Sequence, residues 1–230
     1  MPAREAVTES DTSQPASPAD QPGAGLDAAT AAAAAELLAR WWSRPVQAEV
    51  AAWLSAAGIE SDIRRRLTGS QDPGATGLPY SADQVPALLD EYERLFVGPG
   101  QVPCPPYESF WRDDVPIDLW HSLMGPCTAE LRQLYRDVGI DLAPDAGELP
   151  DHVAVELEAL AYALSVADCD RVAGALVSDH LSQWLPRLCR AVASEAGHPF
   201  YVGLAAVTLD WIGHVGRWVA RPGEAKLGTP

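Results

Sequence analysis

Between residues 85 and 96, Val85, Leu88, Leu89, Tyr92, Leu95 and Phe96 recur at helical spacing and mark one apolar stripe. Ser81 and Gln84 stand ahead of it with capping-box spacing. Comparable stripes follow one another along most of the chain. Residues 27–43 are Ala-rich and end on Trp41 and Trp42. Pro45 suits the first turn of a next helix and Gly58 its end, with Val46, Val50, Trp53 and Leu54 on one side. Pro126 opens a helix that points Leu131, Leu134, Tyr135 and Val138 inward and closes at Gly139. Val153, Leu157, Leu160, Ala161 and Leu164 mark another. Within 168–196, Val177, Leu181, Trp184, Leu188 and Val192 share a face, and Pro186 is expected to kink the segment or start a second helix. Beyond Gly197, a final long helix carries Phe200, Leu204, Val207, Trp211, Val215 and Trp218 on one side. No convincing period-2 strand occurs. The pattern predicts an all-α domain of about nine or ten helices whose stripes stack into one core.

The breaks between stripes differ in kind. Residues 68–79, "TGSQDPGATGLP", and 140–150, ending "GELPDH", are loops by composition. The Pro-rich segment 98–116 is unusual, because it carries little charge over its first half, keeps apolar side chains and presents Tyr107. A plain linker would be polar and rich in Gly and Ser. Residues 1–25 hold hardly any large apolar side chain and are expected to be a disordered acidic tail. The helical domain is then 26–222, with a flexible tail at 223–230.

Charge narrows the partners. Thirty-two acidic residues against 16 basic ones leave a formal net charge of −16. Such a surface repels a phosphate backbone and attracts a basic peptide, although solubility alone is also served by it. The four cysteines, Cys104, Cys127, Cys169 and Cys189, form no C-x-x-C pair and are expected to be buried thiols in a reducing compartment. Cys104, in the middle of the Pro-rich loop, has no evident reason to be there. No run approaches the roughly 20 apolar residues of a membrane span, and the N-terminus has no signal pattern. The expected location is the cytoplasm.

Enzyme signatures are absent from the sequence: there is no G-x-S-x-G, no H-E-x-x-H and no P-loop. "DCD" at 168–170 is too short for a calcium loop. One polar pair stands out, Asp151-His152 after Glu148 and Pro150. Asp151 suits a helix N-cap. Alternatively the pair borders a groove, where a carboxylate takes a guanidinium through two parallel hydrogen bonds and His152 meets a peptide backbone. A hydrolase dyad is a further alternative, but no motif ties a Ser or Cys nucleophile to it. Tyr92, Leu95 and Phe96 lie on a stripe and suit core packing. Tyr107 and Trp111, in or beside a loop, suit packing or recognition equally well.

"YERLFVGPG", "PPYES" and "ELPDH", followed by "DHLSQWLPRL" and "HPFYVGLAAVTLDWI", together resemble the TorD/DmsD/NarJ family of redox-enzyme maturation chaperones. The resemblance spans about residues 30–220. It implies an all-helical cytoplasmic protein, monomeric or homodimeric, that needs no cofactor and performs no chemical step. It implies as partner the apo form of a molybdopterin-containing oxidoreductase catalytic subunit, bound by its twin-arginine leader or another N-terminal segment. By motif match the peptide-binding residues are Tyr92, Leu95, Phe96, Pro106, Tyr107, Glu148, Asp151 and His152. Some members carry Trp where Tyr92 and Tyr107 stand, which bears on which leader is bound. A structural subunit retained in a membrane oxidoreductase is the remaining alternative.

Overall fold

The computed structural model describes residues 27–45, 85–112, 125–142, 147–166 and 169–220. The tail at 1–25, the helix expected after Pro45, the loop at 68–79, the Ser81–Gln84 pair and the C-terminal tail lie outside the described residues. All regular structure among the described residues is helical: α1 (Ala28–Trp42), α2 (Val85–Tyr92), α3 (Pro126–Asp137), α4 (Val153–Ser165), α5 (Asp170–Ala175), α6 (Ser182–Glu195) and α7 (Pro199–Val219). The all-α expectation is met.

Helix α1 starts where Asp27 accepts the backbone N–H of Thr30 at 2.7 Å, which satisfies one of the free donors of the first turn. Its inward face is Ala31, Ala32, Ala35, Leu38, Ala39 and Trp42. The alanines let α4 lie close alongside, and this pairing is the main contact of α1. At the far end the Trp42 indole donates to Thr208 Oγ1 at 3.0 Å, a buried bond that ties α1 to α7. Helices α6 and α7 form the second tightly packed pair. The sequence stripes meet in between: Leu131, Tyr135, Leu157, Leu160, Leu181, Trp184, Leu188, Leu204 and Trp211 are all buried.

Two helix ends matter for the site. Helix α2 widens into a π turn, Glu93–Val97, and stops at Gly98. Gly98 has φ +102°, a conformation that only glycine adopts without strain, and its N–H closes the turn on the Glu93 carbonyl at 2.7 Å. Helix α3 ends before Gly139, also at positive φ. Pro186 does not start a helix. It lies inside α6, and the irregular turn comes earlier, as a π turn at Leu176–Leu181 between α5 and α6. Proline removes a bond of the helical ladder, and the widened turn just upstream is the other departure from it in this segment.

Candidate functional site

Tyr92 and Phe96, four residues apart, project from the same side of α2 and its π turn and begin an aromatic cluster. Their ring centroids are 5.1 Å apart. Phe96 meets Trp42 edge-on at 5.8 Å and Tyr201 at 5.5 Å, so α1, α2 and α7 converge on one ring. The Tyr201 hydroxyl donates to the Leu88 carbonyl at 3.2 Å. Behind this cluster Glu91 fastens the α2 end to the start of α7. Its carboxylate takes two N–H groups of Arg94, at 2.8 and 3.0 Å, and the backbone N–H groups of Gly197 and His198. Those bonds, Arg94's first, hold the carboxyl down at about 2 despite partial burial. His198 caps α7 by accepting the Phe200 N–H at 3.2 Å.

The opposite wall is the Pro-rich loop. Cys104 donates its N–H to the Leu95 carbonyl at 3.0 Å, and the Trp111 indole donates to the Pro105 carbonyl at 2.7 Å. The Cys104 side chain is fully buried, and burial pushes its thiol up to about 12. Its place in the loop thus has a physical reason: a small apolar side chain where the loop folds back on the helix end. Tyr107 pairs with His152 in an isolated antiparallel bridge. On either side of it Glu108 N–H meets the Asp151 carbonyl and Val153 N–H meets the Pro106 carbonyl, each at 2.9 Å. The "PPYES" and "ELPDH" segments are therefore held as a short two-stranded ribbon.

Between these walls lies a groove of about 710 Å³. Tyr92, Phe96 and Val97 line one side; Val102, Pro105, Tyr107, Phe110 and Trp111 line the other; Arg44 and Glu148 stand at its mouth. The Tyr107 hydroxyl donates to Glu148 Oε2 at 3.2 Å. Of the motif-matched residues, Tyr92, Phe96, Tyr107 and Glu148 line the groove. Leu95 and Pro106 are buried beside it. Asp151 and His152, 0% and 1% exposed, lie behind the loop wall.

Asp151 is not the helix cap. The cap of α4 is His152, whose Nδ1 accepts the Ala154 N–H at 3.1 Å, because the ribbon places the histidine, one residue later, at the turn into the helix. Its ring stands edge-on to Tyr107 at 5.2 Å, and its Nε2 is 3.8 Å from Glu148. Burial lowers the imidazole to about 4, so it is neutral at neutral pH. Asp151 Oδ2 accepts the Ser109 N–H at 3.4 Å, Oδ1 has no hydrogen-bond partner, and burial raises the carboxyl. The Asp-His dyad is not formed, since the imidazole Nδ1 is spent on the α4 backbone.

Spacing alone did not reveal a polar network behind the loop. Glu108 is fully buried, with Arg112 Nη1 at 2.7 Å and His180 Nδ1 at 2.9 Å. Glu156, also fully buried, accepts the Trp184 indole N–H at 3.4 Å. Burial first, then the charge of Glu108, pushes its carboxyl well above the ordinary carboxylate range, which favours the protonated form. The one available sequence signal was Glu156 itself, an acid set among the inward-facing Val153, Leu157 and Leu160. The five quoted sequence blocks thus serve two adjoining structures, an aromatic cluster and a buried polar network, with the groove lying along them.

Among the described residues no group of His, Cys, Asp and Glu has metal-binding geometry, and no helix is long and apolar enough to cross a membrane.

A family model described as nitrate reductase delta subunit matches residues 75–190, half of the chain. The chain is 33% identical over 121 residues to the Tat proofreading chaperone DmsD of Salmonella typhi, covering 51% of this chain and 55% of that protein. It is 25% identical over 134 residues to the chaperone protein TorD of Shewanella piezotolerans, covering 57% and 62%. The match thus spans about half the length of these relatives. A crystal structure from Archaeoglobus fulgidus, described as a redox enzyme maturation protein, superposes with a TM-score of 0.51 at 20% identity. It covers 79% of this chain and 93% of that one, a likeness of fold. With the family model matching the segment that builds both the groove and the network behind it, the chain belongs to the nitrate reductase delta subunit family, the TorD/DmsD/NarJ family of redox-enzyme maturation proteins.

Proposed function

We propose that this protein is a cytoplasmic maturation chaperone that binds the N-terminal leader of a molybdopterin oxidoreductase subunit and keeps it from export or membrane attachment until its cofactor is in place. The observation that carries the reading is the groove itself. Its walls are the two blocks, "YERLF" and "PPYES", that the family resemblance associates with leader binding, and it opens between aromatic side chains. A leader with an apolar stretch and a basic end matches both the lining and the acidic surface, which carries a formal net charge of −16. Burying some 300 Å² of apolar peptide surface is worth about 7 kcal/mol gross, before the costs of ordering it. The prolines and the ribbon hold the wall in one conformation, which reduces that ordering cost. Occupying the leader is sufficient, and no bond needs to be made or broken.

Direct peptide contact falls chiefly to Tyr107 and Glu148, because Tyr92 and Phe96, 3% and 5% exposed, offer little free surface in the unliganded groove. Leu95, Pro106, Asp151 and His152 hold those residues in place. Titration calorimetry with leader peptides of molybdopterin oxidoreductases tests the reading. The wild type is expected to bind at least one. Tyr107→Ala is expected to weaken that binding roughly ten-fold or more, as befits loss of a half-buried aromatic contact, with the helical circular dichroism unchanged. If neither a leader nor a full-length apoenzyme bound, the reading would fail.

A further inference from the structure

Because Asp151 is fully buried behind the loop, a guanidinium entering the groove does not reach it. Among the described residues, Glu148 lines the groove, and Glu93, next in sequence to Tyr92 and 36% exposed, lies beside it as the partner of the lining residue Arg44. Glu93 already has a guanidinium partner. Arg44, just beyond the end of α1, pairs with it through Nη2. Arg44 is itself part of the groove lining, yet its side chain is 70% exposed. Its charge also reaches Glu148: burial pushes that carboxyl up, and the Tyr107 hydroxyl and Arg44 pull against it.

We infer that Arg44 is a resident guanidinium, which holds the groove's arginine-acceptor position at Glu93 in the free chain and yields it to an arginine of the docking peptide. The inference rests on the reading of the groove as a leader site. An exposed pair is weak, and its arginine returns to water at little cost, so the exchange is fast and nearly balanced. An incoming arginine can present the same planar fork to the same carboxylate, and Glu93 stays paired throughout. A peptide without a cation gains nothing from the exchange. Arg44 therefore lowers affinity for arginine-bearing peptides more than for peptides without a cation.

The test is titration calorimetry at low salt with a twin-arginine leader peptide and the same peptide carrying Gln-Gln. The proteins are wild type, Arg44→Gln, Glu93→Gln, the double variant and Arg40→Gln. Arg40 lies on α1 beside Glu36, outside the groove lining, and its replacement changes net charge by the same amount. Arg44→Gln is expected to tighten the twin-arginine peptide about two- to five-fold. It is expected to change affinity for the Gln-Gln peptide by less than that, and to tighten neither peptide in the Glu93→Gln background. Glu93→Gln alone is expected to weaken the twin-arginine peptide. Equal tightening by Arg40→Gln, tightening that persists without Glu93, or no effect of Arg44→Gln overturns the inference while leaving the leader site standing. If the wild type and all variants bind neither peptide nor apoenzyme, the reading of the groove falls and the inference with it.

Discussion

Replacing Glu91 by Gln isolates the bond that joins the groove helix to α7. The carboxylate accepts four N–H groups, two from Arg94 and one each from Gly197 and His198 at the α7 N-terminus, where a negative charge is also favoured by the helix dipole. An amide keeps one acceptor oxygen and turns an NH₂ toward the remaining donors. The carboxyl is held at about 2 against an ordinary 4.5. At 1.36 kcal/mol per unit, that difference of about 2.5 corresponds to about 3.4 kcal/mol undiscounted. The Arg94 side chain is 45% exposed, and solvent screening reduces the expected contribution to about 1.5–2 kcal/mol. A carboxyl whose folded value is depressed stabilises the protein above its unfolded value and loses that contribution as pH falls toward the folded value. The contribution is thus complete above about pH 5.5, reduced to roughly 40% at pH 3, and largely gone below pH 2. Urea unfolding of wild type and Glu91→Gln, followed by circular dichroism at pH 7, 5, 4 and 3, measures it. Glu148, Asp151, Glu156 and Glu158 have raised values and act with the opposite sign, and the difference between the two proteins cancels them. A difference that is flat from pH 7 to pH 3, or below about 0.5 kcal/mol at pH 7, would refute the reasoning.

Glu156→Gln is expected to change stability by less than about 0.5 kcal/mol at pH 7, since burial favours the neutral carboxyl that the amide resembles; a drop above about 2 kcal/mol in urea unfolding would mean that the group is ionised. His180→Ala removes one of the two side-chain partners that the fully buried Glu108 has among the described residues and is expected to cost about 2–4 kcal/mol; an unchanged Tm would show that the His180 bond is not needed to satisfy the carboxylate. Gly98→Ala puts a Cβ 3.2 Å from the Gly100 nitrogen at positive φ and is expected to cost about 1–3 kcal/mol, and hydrogen exchange should show the loss first at the α2 end; exchange unchanged there would argue against strain at this turn.

Leu131 and Tyr135, Leu157 and Leu160, Leu204 and Trp211 were each assigned inward from spacing alone, and each is buried. Helical periodicity is a local property, carried by residues three and four apart, and it survives whatever the helix packs against. The order of the quoted blocks is likewise visible, and with it the family resemblance. Pro186 starts no helix, because a proline signals that a helical bond is missing and not where the chain adjusts.

Burial and partnership at the site were beyond local pattern. Nothing near Asp151 in sequence shows that it faces away from the groove, nor that His152, one position later, takes the capping role. Glu108 meets His180 across 72 residues, and Arg44 meets Glu93 across 49. Helices, their inward faces and the stiff aromatic loop were determined by the sequence itself, because backbone geometry and side-chain spacing act over a single turn. Which carboxylate is protonated, which is open to a guanidinium and which aromatic rings wall the groove were decided only by the tertiary structure. Those properties depend on exclusion of water and on charges brought together from distant segments, and neither exists until the helices pack.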